Sequence, residues 1–203
     1  MALRFTRRQA LAAALIAALP ALGFAQEKRE VQEMTLGDAN APVTLVEYAM
    51  FTCPHCAAFH ADVFPQLKAN FIDTGKVRLV FREVYFNKPS LWAAMIARCA
   101  PPDRYFGIVE VLFTKQADWA GSQDSEAMLQ QLYGIGRQAG LTDEQMNACM
   151  RDRSLAEALV AEYQKNAGAD GIDSTPTFLI NGEKESNMSY EDLEAKLNAA
   201  LGA

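Results

Sequence analysis

A predicted strand runs directly into two closely spaced cysteines, and this junction constrains the fold more than any other feature of the chain. Residues 42–51 read PVTLVEYAMF, a β-branched and aromatic run that predicts a buried strand. The motif CPHC follows at residues 53–56, with Pro54 suited to the first turn of a helix. A second strand is predicted from Lys76 to about Phe86. The order strand, helix, strand indicates a parallel pair.

Helix patterns then occupy the chain from residue 87 to 173, with no convincing strand among them. Proline and glycine residues end several of these helices. The predicted starts are Ser90, in a helix that runs through Cys99, then Asp103, Ser125, the capping box Thr142–Gln145, and residue 154.

Strand signals return at residues 175–180, and Asn181-Gly182 predicts a hairpin turn. Ser189 then opens a final amphipathic helix. The predicted class is therefore α/β. One domain, made of residues 26–86 and 174–203, is interrupted by an inserted all-helical domain at 87–173.

Residues 1–25 are predicted to be a secretory signal peptide. Three arginines precede an apolar run from Leu11 to Leu22, and small residues at Gly23 and Ala25 form a cleavage site. A membrane anchor is the alternative, but the run is shorter than the roughly 20 residues that a span needs. Arg7-Arg8 also leaves the twin-arginine export route open. The prediction is export across the inner membrane to the periplasm.

The cysteines matter more once this segment is set aside. Residues 1–25 carry three arginines and no acidic residue, so the remaining 178 residues have a formal net charge of −9 instead of −6. An acidic chain argues against nucleic-acid binding. All 4 cysteines remain, too few for a disulfide-dense scaffold. After export they occupy an oxidising compartment, where disulfides persist.

The CPHC motif indicates redox chemistry. At a helix N-terminus the unpaired N–H groups and the helix dipole lower the pKa of Cys53, and His55 can add positive charge. A stabilised thiolate is a good leaving group, so the disulfide with Cys56 is easily passed to another protein. A zinc site is one alternative, but the chain offers poor further ligands, and no metal is predicted. A purely structural bridge is another, although so short a loop gains little chain entropy.

Cys99 and Cys149 form the second pair. Two lone cysteines in an oxidising compartment are expected to bond to each other. Closing this loop of about 50 residues would contribute roughly 4 kcal/mol to stability in the chain-entropy model. A role in tuning the redox activity is the alternative to this structural one.

Taken together, these residues resemble those of the DsbA-type thioredoxin-fold oxidoreductases. The likeness rests on Glu47-Tyr48, CPHC at 53–56, the helical insert and Thr175-Pro176. It implies a thioredoxin-like fold with an inserted all-helical domain. It also implies that Cys53 is the exposed nucleophile and Cys56 the buried resolving thiol. A subgroup of the family has an extra bridge in its helical domain, as Cys99 and Cys149 would.

The resemblance assigns further roles around the motif. It implies that Pro176 is cis and packs against the motif, that the Thr175 backbone pairs with substrate, and that Pro54 adjoins the same substrate surface. Glu47 would be buried beneath Cys56, where a carboxylate could move protons. Beyond the Cys53–Cys56 disulfide itself, no cofactor is implied.

His60 departs from the family pattern, which often has an acid four residues after the second cysteine. At this spacing His60 shares a helix face with Cys56, and we consider it a possible partner of Glu47 that modulates proton transfer. A helix-surface histidine without a role is the alternative.

The predicted function is a periplasmic thiol:disulfide oxidoreductase that donates its disulfide to newly secreted proteins. The expected partners are reduced unfolded secreted chains and a quinone-coupled membrane protein of the DsbB kind that reoxidises it. We expect a monomer. The alternatives are an isomerase or reductase of the same fold and a non-catalytic binding module. Residues 26–40 are too few for the dimerisation domain that dimeric isomerases carry.

Overall fold

A five-stranded mixed sheet forms the centre of the computed structural model, which describes residues 29–202; the predicted signal peptide at 1–25 lies outside them. The central strands β2 and β3 are parallel, and each remaining strand is antiparallel to its neighbour. The strand order is β1-β3-β2-β4-β5. The bounds are β1 Met34–Leu36, β2 Val43–Ala49, β3 Val77–Glu83, β4 Thr177–Ile180 and β5 Glu183–Ser186.

The helices fall into two groups along the chain. The first group belongs to the sheet domain: α1 Pro54–Asp62, α2 Phe64–Leu67 continuing into a π-helical turn at Lys68–Ile72, and α9 Tyr190–Leu201. The second forms the insert: α3 Lys88–Cys99, a 3₁₀ turn at Pro102–Arg104, α4 Tyr105–Thr114, α5 Gln116–Ala120, α6 Ser125–Gln138, α7 Asp143–Arg151 and α8 Arg153–Ala169. No helix within residues 29–202 is long and apolar enough to cross a membrane.

Alternation along β2 decides what each sheet face contacts. Leu45 and Val43 pack with Phe59 of α1 and Leu197 of α9. Tyr48, on the opposite face, packs with Ala167 of α8. At the C-terminal end of β3, Phe81 instead joins the core of the insert. The end of the sheet that carries the CPHC motif is therefore the end on which the insert packs.

An ion pair secures this packing between sheet and insert. Arg98 of α3 donates two hydrogen bonds to the Glu83 carboxylate, at 2.6 and 2.7 Å, and Tyr105 Oη donates a third at 2.6 Å. The side chains of Arg98 and Glu83 are only 10% and 5% exposed. Burial and the Glu83 charge raise the pKa of Tyr105 well above its usual value, so its hydroxyl stays a donor.

Four predicted boundaries differ in the structure, and one of them is the start of β4, which lies at Thr177 instead of residue 175. Strand β3 ends at Glu83 rather than near Phe86. The Asn87 side chain caps α3, because Pro89 fits its first turn, and Ser90 is buried inside the helix. Asp103 lies in a 3₁₀ turn and does not cap α4.

The other predicted helix starts agree with the structure to within one residue. Ser125–Gln138 has the predicted bounds, and the capping box of Thr142 and Gln145 is present. Ser189 caps α9, accepting from the Asp192 N–H.

The predicted hairpin joins β4 and β5 at Asn181-Gly182. Both residues have positive φ, 49° and 91°, as the tight turns of hairpins require. The outer strand β5 reads EKES and is largely exposed. It forms one edge of the sheet.

Candidate active site

Cys53 lies at the junction between β2 and α1, directly before the first residue of the helix. Its backbone is extended (φ −82°, ψ 119°) and it occupies the N-cap position, with Pro54 as the first helical residue. Cys56 falls one turn into the helix and is fully buried, whereas Cys53 is 5% exposed. Both are free thiols, so the structure represents the reduced form. The prediction of an exposed Cys53 is therefore wrong, since the residue is almost fully buried.

The two sulfurs have opposite electrostatic properties. A hydrogen bond from Cys56 lowers the pKa of Cys53 to about 5, against the opposing effect of burial. The Thr175 side chain and the backbone N–H groups of Cys56 and His55 add to the lowering. The same hydrogen bond to Cys53, together with burial and the nearby charge of Glu47, raises the pKa of Cys56. At neutral pH Cys53 is a thiolate and Cys56 a thiol.

The Thr175–Pro176 peptide bond is cis and faces the motif. The Thr175 carbonyl oxygen accepts a hydrogen bond from Cys53 Sγ at 3.2 Å when that sulfur is protonated. Pro176 is buried and Thr175 is half-buried. The structure thus places Thr175 against Cys53, while its predicted pairing with substrate remains a prediction.

Glu47 and His60 form a buried pair behind the motif. His60 Nε2 lies 2.9 Å from Glu47 Oε1, and the two side chains are 6% and 0% exposed. Glu47 reaches this position because it belongs to the inward-facing row of β2, and His60 because it lies one turn after Cys56 on α1. The structure therefore contradicts a surface position for the His60 side chain, while the role of His60 stays a prediction.

His55 and Pro54 occupy the outer side of the motif. Both are exposed, and the backbone N–H of His55 helps to stabilise the Cys53 thiolate. The predicted stabilisation of Cys53 by the His55 side chain and the predicted contact of Pro54 with substrate stay predictions.

Three polar residues of the insert fix the chain around the motif through hydrogen bonds that the sequence did not predict. Gln116 of α5 donates to the carbonyl oxygens of Phe51 and Cys53, at 2.8 and 2.9 Å. Ser90 Oγ accepts from the Phe51 N–H and donates to the Val84 carbonyl. Asn87 Nδ2 donates to Thr52 Oγ1 at 2.8 Å. No local pattern marks these contacts, since the partners lie 35 or more residues apart for all but one of them.

The second cysteine pair is bonded. Cys99, at the end of α3, and Cys149, on α7, form a disulfide that spans 50 residues of sequence. It joins two helices within the insert, away from the CPHC junction in sequence. Across residues 29–202, no cluster of three or more His, Cys, Asp or Glu side chains could hold a metal ion.

With this geometry in place, comparisons with known proteins decide the family. A family model described as Thioredoxin matches residues 29–199. The chain belongs to the thioredoxin family. The predicted thioredoxin-like fold with a helical insert is thereby confirmed, and so is the resemblance to its DsbA-type members.

Two solved members of the thioredoxin family illustrate the likeness. The crystal structure of Wolbachia pipientis alpha-DsbA1 has a TM-score of 0.79 and 27% identity, over 86% of this chain and 93% of that one. Oxidised BdbD from Bacillus subtilis has a TM-score of 0.75 and 26% identity, over 84% and 94%.

Among curated proteins, a putative protein-disulfide oxidoreductase of Rickettsia bellii is 33% identical over 175 residues, which are 86% of this chain and 66% of that protein. Similar Rickettsia proteins are covered to 62–64%. The chain thus spans slightly less than two thirds of the length of these relatives. Disulfide bond formation protein D of Bacillus subtilis is 28% identical over 174 residues, covering 82% of this chain and 76% of that protein.

Proposed function

We propose that this protein is a thiol:disulfide oxidoreductase that donates the Cys53–Cys56 disulfide to newly secreted proteins. The observation that carries the proposal is the opposite pKa shift of the two thiols: the pKa of Cys53 is lowered to about 5, and the pKa of Cys56 is raised. A thiolate stabilised this strongly favours the reduced form of the protein, so the oxidised form is a strong oxidant. The names of the Rickettsia and Bacillus relatives support the same activity.

The reaction proceeds through a mixed disulfide. A substrate thiolate attacks Cys53 Sγ, a new S–S bond forms, and the Cys53–Cys56 bond breaks with Cys56 as the leaving group. Cys56 takes up a proton, in keeping with its raised pKa. The second substrate thiolate then attacks the substrate sulfur of the mixed disulfide and expels Cys53 as a thiolate. The substrate loses two electrons, and the enzyme gains them as two reduced cysteines.

The proposal includes the periplasm as the site of action. The proposed location rests on the signal-peptide pattern of residues 1–25, which lies outside the described residues. Its partners would be reduced unfolded secreted proteins, which bind beside Pro176, and a membrane protein of the DsbB kind that removes electrons from Cys53 and Cys56. The proposal includes no cofactor beyond the redox-active Cys53–Cys56 disulfide, and the protein would act as a monomer.

A redox titration against glutathione, with the protein lacking residues 1–25, tests the proposal. We expect a potential less negative than about −180 mV and rapid oxidation of a reduced dithiol peptide. A potential near about −270 mV would instead identify a reductase. Renaturation of scrambled ribonuclease would identify an isomerase, and failure to exchange with any thiol would identify a binding module. The Cys56→Ala variant should accumulate the mixed disulfide, and Cys53→Ala should form none.

A further inference from the structure

The loop that carries Thr175 and Pro176 is irregular and half exposed. This Thr175 loop, residues 171–176, connects the end of α8 to β4, and half of its residues are exposed. Loops of this kind take their position from the rigid elements that they connect. The loop nevertheless lies against the redox motif, with the Thr175 carbonyl oxygen 3.2 Å from Cys53 Sγ. What holds its two ends therefore decides where Thr175 lies.

The start of the Thr175 loop is bonded to the side chain of Tyr48. Asp170 is the C-cap residue of α8, and its Oδ2 accepts a hydrogen bond from Tyr48 Oη at 2.5 Å. Arg82 Nη1 donates to the same Asp170 oxygen at 3.0 Å and to Tyr48 Oη at 2.7 Å. The three side chains form a closed set of hydrogen bonds, which we call the Tyr48 cluster.

The end of the Thr175 loop is fixed on the same residue. Thr177, which begins β4, is the antiparallel partner of Tyr48 in β2, and Arg82 is the parallel partner of Tyr48 in β3. Tyr48 therefore holds the start of the loop through its side chain and the end through the strand pairing of its backbone. Since Tyr48 lies five residues before Cys53 in the chain, it relates the loop directly to the motif.

The Tyr48 cluster is more buried than the other contact at the loop start. Tyr48 is fully buried, and the Arg82 and Asp170 side chains are each 25% exposed. Burial and the hydrogen bond to Asp170 raise the pKa of Tyr48 to about 12, so its phenol stays a donor at physiological pH. Lys184 of β5 donates to the Gly171 carbonyl oxygen at 2.6 Å, but this contact is exposed. The Tyr48 cluster is therefore the main anchor.

We propose that Asp170 is a positioning residue: held by Tyr48 and Arg82, it sets the Thr175 backbone at the place where a substrate chain must pair beside Cys53. The proposal rests on the proposed function and adds to it a residue that controls the affinity for peptide substrates. A peptide that pairs with Thr175 while its sulfur bonds to Cys53 has to satisfy both contacts at once. A displaced loop start would misalign the two contacts, although Asp170 touches neither.

The test compares two substrates of the oxidised protein lacking residues 1–25, a reduced dithiol peptide and dithiothreitol. Dithiothreitol has no peptide backbone, so it reacts with Cys53 without pairing at Thr175. In Asp170→Ala we expect kcat/KM for the peptide, divided by that for dithiothreitol, to fall about tenfold, the effect of about one hydrogen bond. The loss should appear in KM rather than in kcat, because it concerns binding. Asp170→Asn keeps an oxygen acceptor and should restore most of the ratio.

Asp152→Ala is the matched control, since Asp152 caps the opposite end of the same helix. Its Oδ1 accepts a hydrogen bond from the Leu155 N–H at 3.0 Å. Its loss should destabilise α8, yet the ratio between the two substrates should stay within about twofold of wild type. A wild-type ratio in Asp170→Ala, or an equal slowing with both substrates, would overturn the proposal. If Asp170→Ala does not fold, a wild-type ratio in Tyr48→Phe, which removes only Oη, overturns it instead.

A measurement without substrate separates this proposal from the proposed function. The contact with Thr175 is one cause of the lowered Cys53 pKa, so the thiolate titration of Asp170→Ala should move above the wild-type midpoint of about pH 5. The titration of Asp152→Ala should match that of wild type. If the wild-type protein oxidises neither dithiol, the proposed function is overturned. The titration then decides the placement of Thr175 by itself, and an unchanged midpoint in Asp170→Ala overturns the positioning role.

Discussion

The amide of Gln116 lies 2.9 Å from the carbonyl oxygen of Cys53 and 2.8 Å from that of Phe51. Gln116 belongs to α5 of the helical insert, whereas Cys53 and Phe51 belong to the sheet domain. The insert thus supplies a buried donor to the two residues that lead into α1. Both domains therefore contribute to fixing the position of the redox motif.

Replacing Gln116 by leucine should therefore cost stability. Two buried carbonyl groups would lose their donor, and we expect a decrease of about 1–3 kcal/mol in the free energy of unfolding. Urea unfolding of the oxidised protein measures it. Gln131→Leu on the exposed side of α6 serves as the control and should change the free energy by less than about 0.5 kcal/mol. Equal values for the two variants would contradict the assigned role.

Removing the Cys56 thiol should destabilise the thiolate form of Cys53. The hydrogen bond from Cys56 is the largest cause of the lowered Cys53 pKa, so Cys56→Ala should raise that pKa from about 5 toward its ordinary value of about 8.5. Thiolate absorbance at 240 nm against pH measures the change, and the bonded Cys99 and Cys149 do not contribute. An unaltered titration would assign the low pKa to the helix N-terminus instead.

The reduced and oxidised forms should respond differently to acid. The pKa of Cys53 is lower in the folded protein than in the unfolded chain, so its thiolate stabilises the reduced form fully above the unfolded pKa of about 8.5. This stabilisation declines as the pH falls and is lost below about 5. Cys56, whose pKa is raised, stays protonated in both states through this window. We expect the Tm of the reduced form minus that of the oxidised form to shrink between pH 8 and pH 4, and a constant difference would contradict it.

The second disulfide should contribute chiefly to stability. Because Cys99 and Cys149 are 50 residues apart, Cys99→Ala/Cys149→Ala should lower the free energy of unfolding by about 4 kcal/mol in the chain-entropy model. Guanidinium unfolding under non-reducing conditions measures the loss. The matched double variant Cys53→Ala/Cys56→Ala, which removes a much shorter loop, should lose far less. A larger loss in the second variant would reverse the assignment of the two pairs.

Variants of the Glu83–Arg98 ion pair should separate the contribution of charge to stability from the contribution of packing. Arg98→Met leaves the Glu83 carboxylate buried with only Tyr105 as a donor, and we expect a loss of about 3–5 kcal/mol. Adding Glu83→Gln should recover part of that loss, since the uncompensated charge is then gone. A double-mutant cycle by thermal unfolding checks this, and strictly additive losses would count against a coupled pair.

The sequence predicted the elements that depend on local patterns and missed those that depend on distant partners. The β-branched and aromatic run marked β2, the family resemblance implied that Glu47 is buried, and the helical repeat put His60 on the same face as Cys56. Strand β1 was not predicted, because three residues are too short a run to show a period; its register comes from pairing with β3. The contacts of Gln116 were not predicted either, because its hydrogen-bond partners lie more than 60 residues away in the sequence.

The outer strand β5 has a consequence for the proposed function, in which the protein acts on unfolded chains. Such chains add readily to any open strand edge, and an apolar edge would bind them without regard to their thiols. In β5, Glu183, Lys184 and Glu185 alternate in charge along three successive positions of this edge. The charges discourage a further strand from adding there. Under the proposed function, this edge therefore does not capture the unfolded chains on which the protein acts.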